Sequence, residues 1–522
     1  LSLHSDCDLF FINFIIVPGI MELLIFDYLT KTLVYSSILA TFIYLYFSWC
    51  YGHWKRRNFP FLKPNFPKGN NPTYLARFPG PHLECRDHYL EIRKRGLKFA
   101  GIFSVIHPVL VVVDPVIIKD ILVKDFEHFV DRGFYSSEND PLSVSLLSMG
   151  GDKWKNSRGK LTNFFTIGKV KMLIPLMVGS AKPMVRSIGE CALNNTDINI
   201  TLLTKRYAAE TVGTCFLGID CNNFGDAEDT FANMVGKFFR DQNFTHLLRV
   251  SCTNRFPALS RKVGLKLILS EVSEFFKSAV RDTLKYREEH NYFRPDVLQL
   301  LINLKKEMEN TSDPITEEQV AAHIFSFFVA GIDTIADLMT FTLYELCRNP
   351  DIQERVREEI MDIMKKHKNE FTPECLNDMK YLRQVISETL RIYPGLPSLE
   401  RECVKDYKIN GTNLTIEKGT TVWISIMGIH RDPEYHTDPE KFDPDRFIED
   451  SAKSYSQFYF PFGLGPRMCI GVRFGLTVAQ IGLIKILREH RMSLSDETCT
   501  PLKLNKQSFL LETLEPLLMR AE

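Results

Sequence analysis

The sequence predicts a mainly α-helical protein with small β-sheets, an α+β fold class, preceded by a transmembrane anchor. Helical periodicity dominates the chain, for example over 262–290, 316–349 and 376–393. Short apolar runs typical of strands occur at 101–113, 407–414 and 420–426. A run of twenty residues without a formal charge, 32–51, lies near the N-terminus. Together these three observations favour one mostly helical domain behind a membrane helix.

The composition indicates a large globular protein that does not bind nucleic acid. The chain has 522 residues, of which 45% are hydrophobic, enough for one large core or two to three modest ones. Its 64 Lys and Arg balance its 64 Asp and Glu, whereas a nucleic-acid-binding protein normally carries a basic excess. The 12 cysteines include no C-x-x-C pair, which disfavours zinc ribbons and iron–sulfur clusters and indicates a reduced, cytosolic environment.

The first 57 residues predict a membrane anchor. Residue 1 is Leu and the first methionine is Met21, so we expect 1–20 to be a non-native upstream extension and 21–57 to be the anchor. As a helix, 32–51 would rise about 30 Å, enough to cross a bilayer. An interfacial aromatic belt is expected at its end, made of Tyr44, Tyr46, Trp49, Tyr51 and Trp54. The basic residues 55–57 follow, which places this end in the cytosol. A buried soluble helix is the alternative.

The next segment, 58–70, is spaced by prolines and cannot be helical throughout. We expect it to be a stiff linker between the anchor and a single large domain at 71–522. No internal repeat and no second linker occurs in that domain.

The most informative pattern is F-x-x-G-x-R-x-C-x-G at 462–471, which places Cys469 between a glycine-rich turn and an apolar helix. Gly463 and Gly465 allow backbone angles that a Cβ would block, and Arg467 adds a fixed cation. The positive end of the following helix favours a thiolate at Cys469. An anionic sulfur ligand to iron needs this environment. The alternative is a packing cysteine.

A second pattern, A-G-x-D-T at 330–334, lies inside the apolar helix predicted at 316–349. Gly331 loosens the helix at a cost of about 1 kcal/mol relative to alanine. If the Thr334 hydroxyl bonds the carbonyl one turn back, it opens that turn further. An acid beside a hydroxyl, here Asp333 and Thr334, can relay protons. The alternative is an ordinary helix in which Ala330 and Gly331 serve only packing.

A third pattern is the i, i+3 pair Glu388 and Arg391, which lies on one helix face. The pair alone is not specific, because Glu354 and Arg357 have the same spacing. A buried pair needs further hydrogen bonds, and Arg446 is the candidate that supplies them. We expect a structural role for these three residues.

These segments resemble the cytochrome P450 superfamily, the haem-thiolate monooxygenases, and among them the insect microsomal enzymes that metabolise xenobiotics. The resemblance covers roughly 50–522 and implies the cytochrome P450 fold, in which a single large helical domain carries a small β-rich subdomain. The chain departs from the pattern at 163–164, where Pro-Thr is common, and at Asp333 and Ile335, where Glu and Ser are common. Its tail after Leu511 also matches poorly.

The resemblance implies haem b as cofactor, with Cys469 as the iron ligand. Guanidinium groups match carboxylates bidentately, so arginines are candidates for the haem propionates, although a lone arginine is usually a solvated surface charge. The implied cofactor-binding residues besides Cys469 are Arg467, Trp154, Arg158, Arg401, Arg132, Phe462, Ala330 and Gly331.

The implied activity is insertion of one oxygen atom from O2 into lipophilic small molecules, either xenobiotics or endogenous lipids. The electrons come from NADPH through NADPH–cytochrome P450 reductase, with cytochrome b5 as a second candidate donor, at the cytosolic face of the endoplasmic reticulum membrane. The candidate docking residues for the reductase are Lys153, Lys155, Lys160 and Arg473. The candidate substrate-facing residues, for which core packing is the alternative, are Phe134, Leu146, Phe327, Leu396, Leu399 and Phe509. Two rival functions are a haem-thiolate isomerase or dehydratase, against which the acid–hydroxyl pair argues, and a haem sensor or carrier.

Overall fold

The computed structural model describes residues 5–70, 83–221, 223–224, 231–240, 244–310, 314–448, 457–506 and 508–522. Residues 1–4 of the expected extension and 71–82 of the expected large domain therefore lie outside the described part. The chain divides into two compact units. The first comprises Leu1–Pro72 and Gly101–Pro108, and the second comprises Thr73–Ala100 and Val109–Glu522.

The first unit contains a long helix, α1 (Ser5–Tyr51), and a short one, α2 (His53–Arg56). The part of α1 from Phe26 to Tyr51 is long and apolar enough to cross a membrane, and its side chains are almost all exposed. Trp54 is buried and its Nε1 donates to the Ile102 carbonyl at 3.0 Å. Trp54 therefore belongs to the interior of this unit rather than to the expected aromatic belt.

The segment 58–70 is non-helical and packs within the first unit. The Leu62 N–H donates to the Gly101 carbonyl at 2.9 Å, and the Gly101 N–H donates to the Pro60 carbonyl at 2.8 Å. Phe59 and Leu62 are buried. These contacts give the segment a fixed shape, because both its backbone and its apolar side chains have partners.

The second unit is mostly helical. Its described α-helices are α3 (Glu84–Lys94), α4 (Pro115–Lys119), α5 (Gly151–Thr162), α6 (Ile167–Leu193), α7 (Ile200–Val212), α8 (Phe231–Arg240), α9 (Phe244–Arg255), α10 (Pro257–Lys262), α11 (Ser270–Glu289), α12 (Val297–Met308), α13 (Glu317–Arg348), α14 (Pro350–Lys366), α15 (Pro373–Asp378), α16 (Lys380–Ile392), α17 (Ile426–His430) and α18 (Val472–Glu489).

The described strands are short. They are β1 (Phe99–Ser104), β2 (His107–Val112), β3 (Ile198–Asn199), β4 (Ser398–Glu402), β5 (Tyr407–Lys408), β6 (Thr415–Ile416), β7 (Thr421–Ser425), β8 (Met492–Leu494) and β9 (Leu518–Ala521). Strand β7 pairs in parallel with β2, where Val109 faces Thr421, and antiparallel with β4, where Leu399 faces Ile424. A three-stranded sheet has the order β3-β9-β8, and β5 pairs with β6.

The central helix α13 organises the core of the second unit. A capping box between Thr316 and Gln319 fixes its start, since each side chain bonds the other residue's backbone N–H. Its length and apolar composition would allow it to cross a membrane, but 67% of its apolar stretch is buried inside the protein. Helices α7 and α18 pack against it. The predicted helix at 316–349 is thus confirmed as the core helix.

Two glycines and one non-helical residue explain why the bounds of three predicted elements differ from those in the structure. Helix α11 begins at Ser270 rather than 262, because Gly264 turns the chain with a φ of +69°. The predicted helix 376–393 is divided at Met379, which has an extended ψ of 73°. The predicted strand at 407–414 ends after Lys408, since Gly411 turns with a φ of +74°.

Candidate haem-thiolate site

The loop at 462–471 presents Cys469 at the start of α18. Its two ends are tied together, because the Cys469 N–H donates to the Phe462 carbonyl at 2.9 Å. Gly463 and Gly465 both adopt left-handed angles, with φ of +77° and +71°. A Cβ on Gly465 would lie 1.9 Å from the Leu122 carbonyl oxygen, so no other residue fits there. The pattern of glycines is therefore required by the path of the backbone.

The Cys469 side chain is exposed, and it lies close enough to Arg158 and Arg132 for their charges to act on it. Burial raises the pKa of the Cys469 thiol, while a hydrogen bond from the Gly471 backbone and the charges of Arg158 and Arg132 lower it. Burial is the largest of these effects, so the pKa of the Cys469 thiol is raised overall. A metal ion there would remove the proton.

The middle of α13 also opens onto a space. Ala330 is exposed, and Gly331 and Thr334 are half-buried, although their neighbours Phe327 and Ile332 are buried. The Thr334 hydroxyl donates to the Ala330 carbonyl at 2.6 Å, which is the bond that the sequence analysis considered. One stripe of an otherwise buried helix is thus left uncovered by protein.

Asp333 lies on a different face of α13 from that stripe. It is buried, and its Oδ1 lies 2.6 Å from the Nζ of Lys205 on α7, which is also buried. The sequence analysis missed Lys205. Its signal was a lysine within the largely apolar segment 200–212, but only the packing of α7 on α13 shows which acid it faces.

Arg401, Arg132 and Arg467 form a cluster of positive charge, and the Nε of Arg401 is an unsatisfied hydrogen-bond donor. Arg401 is 1% exposed and its Nη1 donates to the Glu400 carbonyl at 2.7 Å. Among the residues that the structure describes, its Nε has no hydrogen-bond partner. Burial and the charges of Arg132 and Arg467 lower the pKa of Arg401 well below its usual value. Burial lowers the pKa of Arg132 to about 10. A buried cation with a free donor needs an anion.

Arg467 fastens the cysteine loop to 130–149. Its guanidinium donates to the carbonyls of Val130 at 2.8 Å, Leu146 at 3.0 Å and Met149 at 2.6 Å. It also lies over the Trp154 ring, 4.1 Å from the ring centroid. Three of its five N–H donors are therefore used by the backbone. Arg132 adds to this fastening, since its Nη2 donates to the Arg467 carbonyl at 3.0 Å.

The structure brings Glu388, Arg391 and Arg446 together in a network in which Glu388 and Arg391 are fully buried and Arg446 is half-buried. Arg391 donates to both oxygens of Glu388, at 2.7 and 2.9 Å, and to the His430 carbonyl at 2.8 Å. The Nε of Arg446 lies 3.4 Å from Glu388 Oε1. The network ties α16 to the segments before the cysteine loop. The second pair, Glu354 and Arg357, is partly exposed and 3.9 Å apart.

The substrate-facing candidates fall into two groups. Phe327 packs in an aromatic cluster with Phe165, Phe216 and Phe474, at centroid distances of 5.0 Å to Phe216 and 5.5 Å to Phe165. This environment is core packing. In contrast, Phe134 and Phe509 meet edge to face at 6.0 Å and both remain half-buried.

The three leucine candidates occupy separate elements. Leu399 is buried in β4, and a Cβ on Gly463 would lie 3.8 Å from its side chain, so it borders the cysteine loop. Leu396 is half-buried just before that strand, and Leu146 is half-buried. Of the three, the structure places Leu399 beside the cysteine loop.

The donor set of this site fits haem b. Cys469 supplies a thiol that faces open space, the exposed stripe of α13 leaves room for a ligand, and the unsatisfied Arg401 Nε supplies a place for a carboxylate. Thiolate, open space and buried cations are the three requirements of haem-thiolate binding.

Comparison with known proteins agrees with this chemistry. The family model for Cytochrome P450 matches residues 76–519. The chain is similar to "Probable cytochrome P450 6a13" of Drosophila melanogaster, with 38% identity over 94% of this chain and 98% of that protein. It is also similar to "Cytochrome P450 6a2" of Drosophila melanogaster, with 38% identity over 93% of this chain and 97% of that protein.

Proposed function

This chain belongs to the cytochrome P450 family and is a monooxygenase, and we propose that it oxidises lipophilic small molecules with electrons that a reductase transfers from NADPH. The observation that carries this proposal is the exposed Cys469 side chain, which follows a loop of left-handed glycines and lies within the field of Arg158 and Arg132. An apolar substrate is supported by the half-buried phenylalanines 134 and 509, since a largely uncharged lining selects apolar ligands.

Different residues would bind the iron, bind the propionates and hold the cysteine loop. Cys469 would hold the iron of haem b, which supplies O2 activation and insertion of one oxygen atom into the substrate when it is bound. Arg401 and Arg132, with Arg158 and Trp154, would hold the propionates, because these carboxylates satisfy the unpartnered Arg401 Nε. Arg467 holds the loop itself, through the three carbonyls it bonds.

In α13, Ala330 is exposed and Gly331 is half-buried, so the helix is left uncovered at this turn. Thr334 keeps its hydroxyl at the edge of this open stripe by donating to the Ala330 carbonyl. The hydroxyl oxygen remains free to accept from water, since one donated bond leaves its lone pairs available. Asp333, one residue earlier, supplies the acid of the relay. The balanced reaction consumes O2, NADPH and a proton, and yields oxygenated substrate, water and NADP⁺.

The proposed location is the endoplasmic reticulum membrane, with the catalytic unit on the cytosolic face. It is supported by the exposed apolar helix that ends at Tyr51 and by the basic residues 55–57 that follow it. That face gives access to NADPH–cytochrome P450 reductase and to cytochrome b5, the proposed electron donors.

The test combines a spectrum with turnover. The reduced, carbon-monoxide-bound protein should show a Soret band far to the red of that of histidine-ligated haem, and Cys469→His should lose it because a neutral imidazole replaces the thiolate. With reductase, NADPH and apolar test substrates, the wild type should form oxygenated products. Turnover of a peroxide without NADPH would instead favour the isomerase, and absence of any NADPH oxidation would favour a haem carrier.

A further inference from the structure

A short loop in the first unit, residues 65–69, folds back along the end of helix α1. The Asn65 N–H donates to the Gly69 carbonyl and the Gly69 N–H donates to the Asn65 carbonyl, each at 2.7 Å, so two hydrogen bonds close the loop. Gly69 has a left-handed φ of +73°, and a Cβ on it would lie 2.3 Å from the Phe103 carbonyl oxygen. The base of the loop is therefore fixed. We call residues 65–69 the aromatic loop, after Phe66 at its tip.

Phe66 packs against the side of α1 rather than against its end. The centroid of its ring lies 5.2 Å from that of Phe47 and 5.8 Å from that of Tyr44, both in edge-to-face geometry. A helix rises about 1.5 Å per residue, so these two partners lie roughly 6 and 10 Å before Tyr51 along the helix axis. Phe66 therefore lies at the level of α1 where the sequence predicts the interfacial aromatic belt.

The tip of the aromatic loop is largely uncovered by protein. Phe66 is 53% exposed, and the neighbouring Pro67 is exposed as well. On α1 itself, Leu45 and Trp49 are also exposed. An exposed phenylalanine beside an apolar membrane helix extends the lipid-facing surface of that helix, because lipid removes its ring from water. The apolar surface of the first unit thus continues from α1 onto the loop.

The residues around the aromatic loop carry only positive charge. The sequence from Tyr51 to Asn70 contains five Lys and Arg and no Asp or Glu. Lys55 and Lys63 are exposed, and the Arg56 guanidinium lies over the exposed Trp49 ring, 5.1 Å from its centroid. Such a cluster next to a membrane helix attracts anionic lipid headgroups. An acidic protein would match the charge alone, whereas lipid matches both the charge and the apolar tip.

We propose that the aromatic loop is a second membrane contact, which inserts Phe66 into the bilayer interface beside α1 while Lys55 and Lys63 bind anionic lipid headgroups. This inference goes beyond the monooxygenase activity and rests only on α1 being the anchor. A lone helix can tilt in a bilayer, and its tilt and rotation are set by interfacial aromatic and basic anchors. The aromatic loop adds such anchors on one side of α1 and so limits both movements.

The depth of Phe66 is measured by fluorine NMR of the full chain in lipid nanodiscs that hold one chain each. Phe66 is replaced by its 4-fluoro derivative, which keeps the ring. A nitroxide on the lipid chain near the headgroup should broaden its signal strongly. A water-soluble gadolinium chelate should broaden it several-fold less than the same label at Phe293. Phe293 is the matched control, because it is 69% exposed and lies in the second unit.

The fluorine signals separate the possible surroundings of Phe66. Broadening of Phe66 and Phe293 by the chelate to the same extent would place Phe66 in water and overturn the insertion. Shielding from the chelate without broadening by the nitroxide lipid would show that protein covers Phe66, which also overturns lipid contact. Phe59, which is buried, should respond weakly to both reagents. An anchored and active chain whose Phe66 lies in water would count against this inference and leave the proposed function intact.

Charge reversal tests the headgroup contact. In discs of mixed phosphatidylcholine and phosphatidylserine, the protein should immobilise spin-labelled phosphatidylserine more than spin-labelled phosphatidylcholine. Lys55→Glu together with Lys63→Glu should reduce this preference about twofold or more, since each basic residue near the surface attracts anionic lipid. Lys365→Glu together with Lys368→Glu makes the same charge change at exposed lysines of the second unit and should leave the preference unchanged. An equal loss in both pairs, or none in the first, would overturn the contact.

Discussion

Individual residues in this site show that hydrogen-bond partners, more than sequence position, decide what a charged side chain does. Arg467 and Arg401 both come from motifs that favour contacts with haem propionates. Arg467 spends three donors on backbone carbonyls, while Arg401 keeps an unsatisfied Nε. The two guanidinium groups thus differ in role. Arg467 fastens a loop, whereas Arg401 retains an N–H donor that can bind an anion.

The unsatisfied Arg401 leads to a prediction about cofactor removal. In Arg401→Met the apoprotein should be more stable than wild-type apoprotein by about 1–3 kcal/mol, because a buried unpaired charge is replaced by an apolar chain of similar length. Haem should leave the variant about tenfold faster, as one charge-assisted contact is lost. Urea unfolding of both apoproteins and haem transfer to an excess of apoglobin measure the two effects.

Arg401→Lys is the companion variant, since it keeps the charge but loses the planar fork. It should retain the low apoprotein stability of the wild type. A rise in stability in Arg401→Lys as large as in Arg401→Met would show that charge is not the cause.

At the scale of elements, the sequence predicted local features well and the ends of elements less well. The glycines of the cysteine loop and the capped helix α13 follow from short-range rules, and the structure contains both. The pair Glu388 and Arg391 was also found, because its spacing on one helix face is local. Strand β4 was missed, because Glu400, Arg401 and Glu402 are three consecutive charged residues without an apolar alternation, and the strand is defined by its pairing with β7.

Long-range partners could not be predicted, because they depend on packing between distant segments. Lys205 meets Asp333 across 128 residues of sequence, the difference of their numbers. Trp54 is another case: the sequence suggested a membrane-interface aromatic, whereas its indole N–H bonds Ile102 in the interior of the first unit. A residue whose partner is far along the chain carries little local signal of that partner.

Helix α1 yields a prediction at the same scale. A chain that begins with a methionine placed before Gly52 should be recovered in the soluble fraction and should keep the thiolate carbon-monoxide spectrum, because it loses the exposed apolar helix but keeps buried Trp54. The full chain should stay with membranes through carbonate extraction. A truncated chain that still resists carbonate would contradict the assignment of α1 as the anchor.

At the scale of the whole molecule, buried and exposed basic residues have different proposed functions. Arg401 and Arg467 are buried and are the proposed cofactor-site residues, whereas Lys155 and Arg473 are exposed. Lys155 lies on α5, which carries Trp154, and Arg473 lies on α18, which follows Cys469. A zero net charge offers no general attraction for an acidic protein. Local basic residues near the cysteine loop are therefore the candidates for recognising a reductase.

Charge reversal tests this surface. Lys155→Glu together with Arg473→Glu should raise the KM for reductase about threefold to tenfold at low salt, and the difference should fade at high salt because exposed charges are screened. Lys262→Glu, at the exposed end of α10, serves as control and should change the KM little. A KM that is independent of both charge and salt would count against docking at this surface.

The fastening of the cysteine loop by Arg467 has a consequence for biosynthesis. Its three carbonyl partners lie 318–337 residues earlier in the chain than Arg467 itself. A ribosome makes α1 first and the loop near the end, so the membrane helix can be inserted long before the loop exists. Closing so long a span is slow compared with forming a local turn. The site is consequently among the last parts of the nascent chain to fold. The cofactor can therefore be bound only when synthesis is nearly complete.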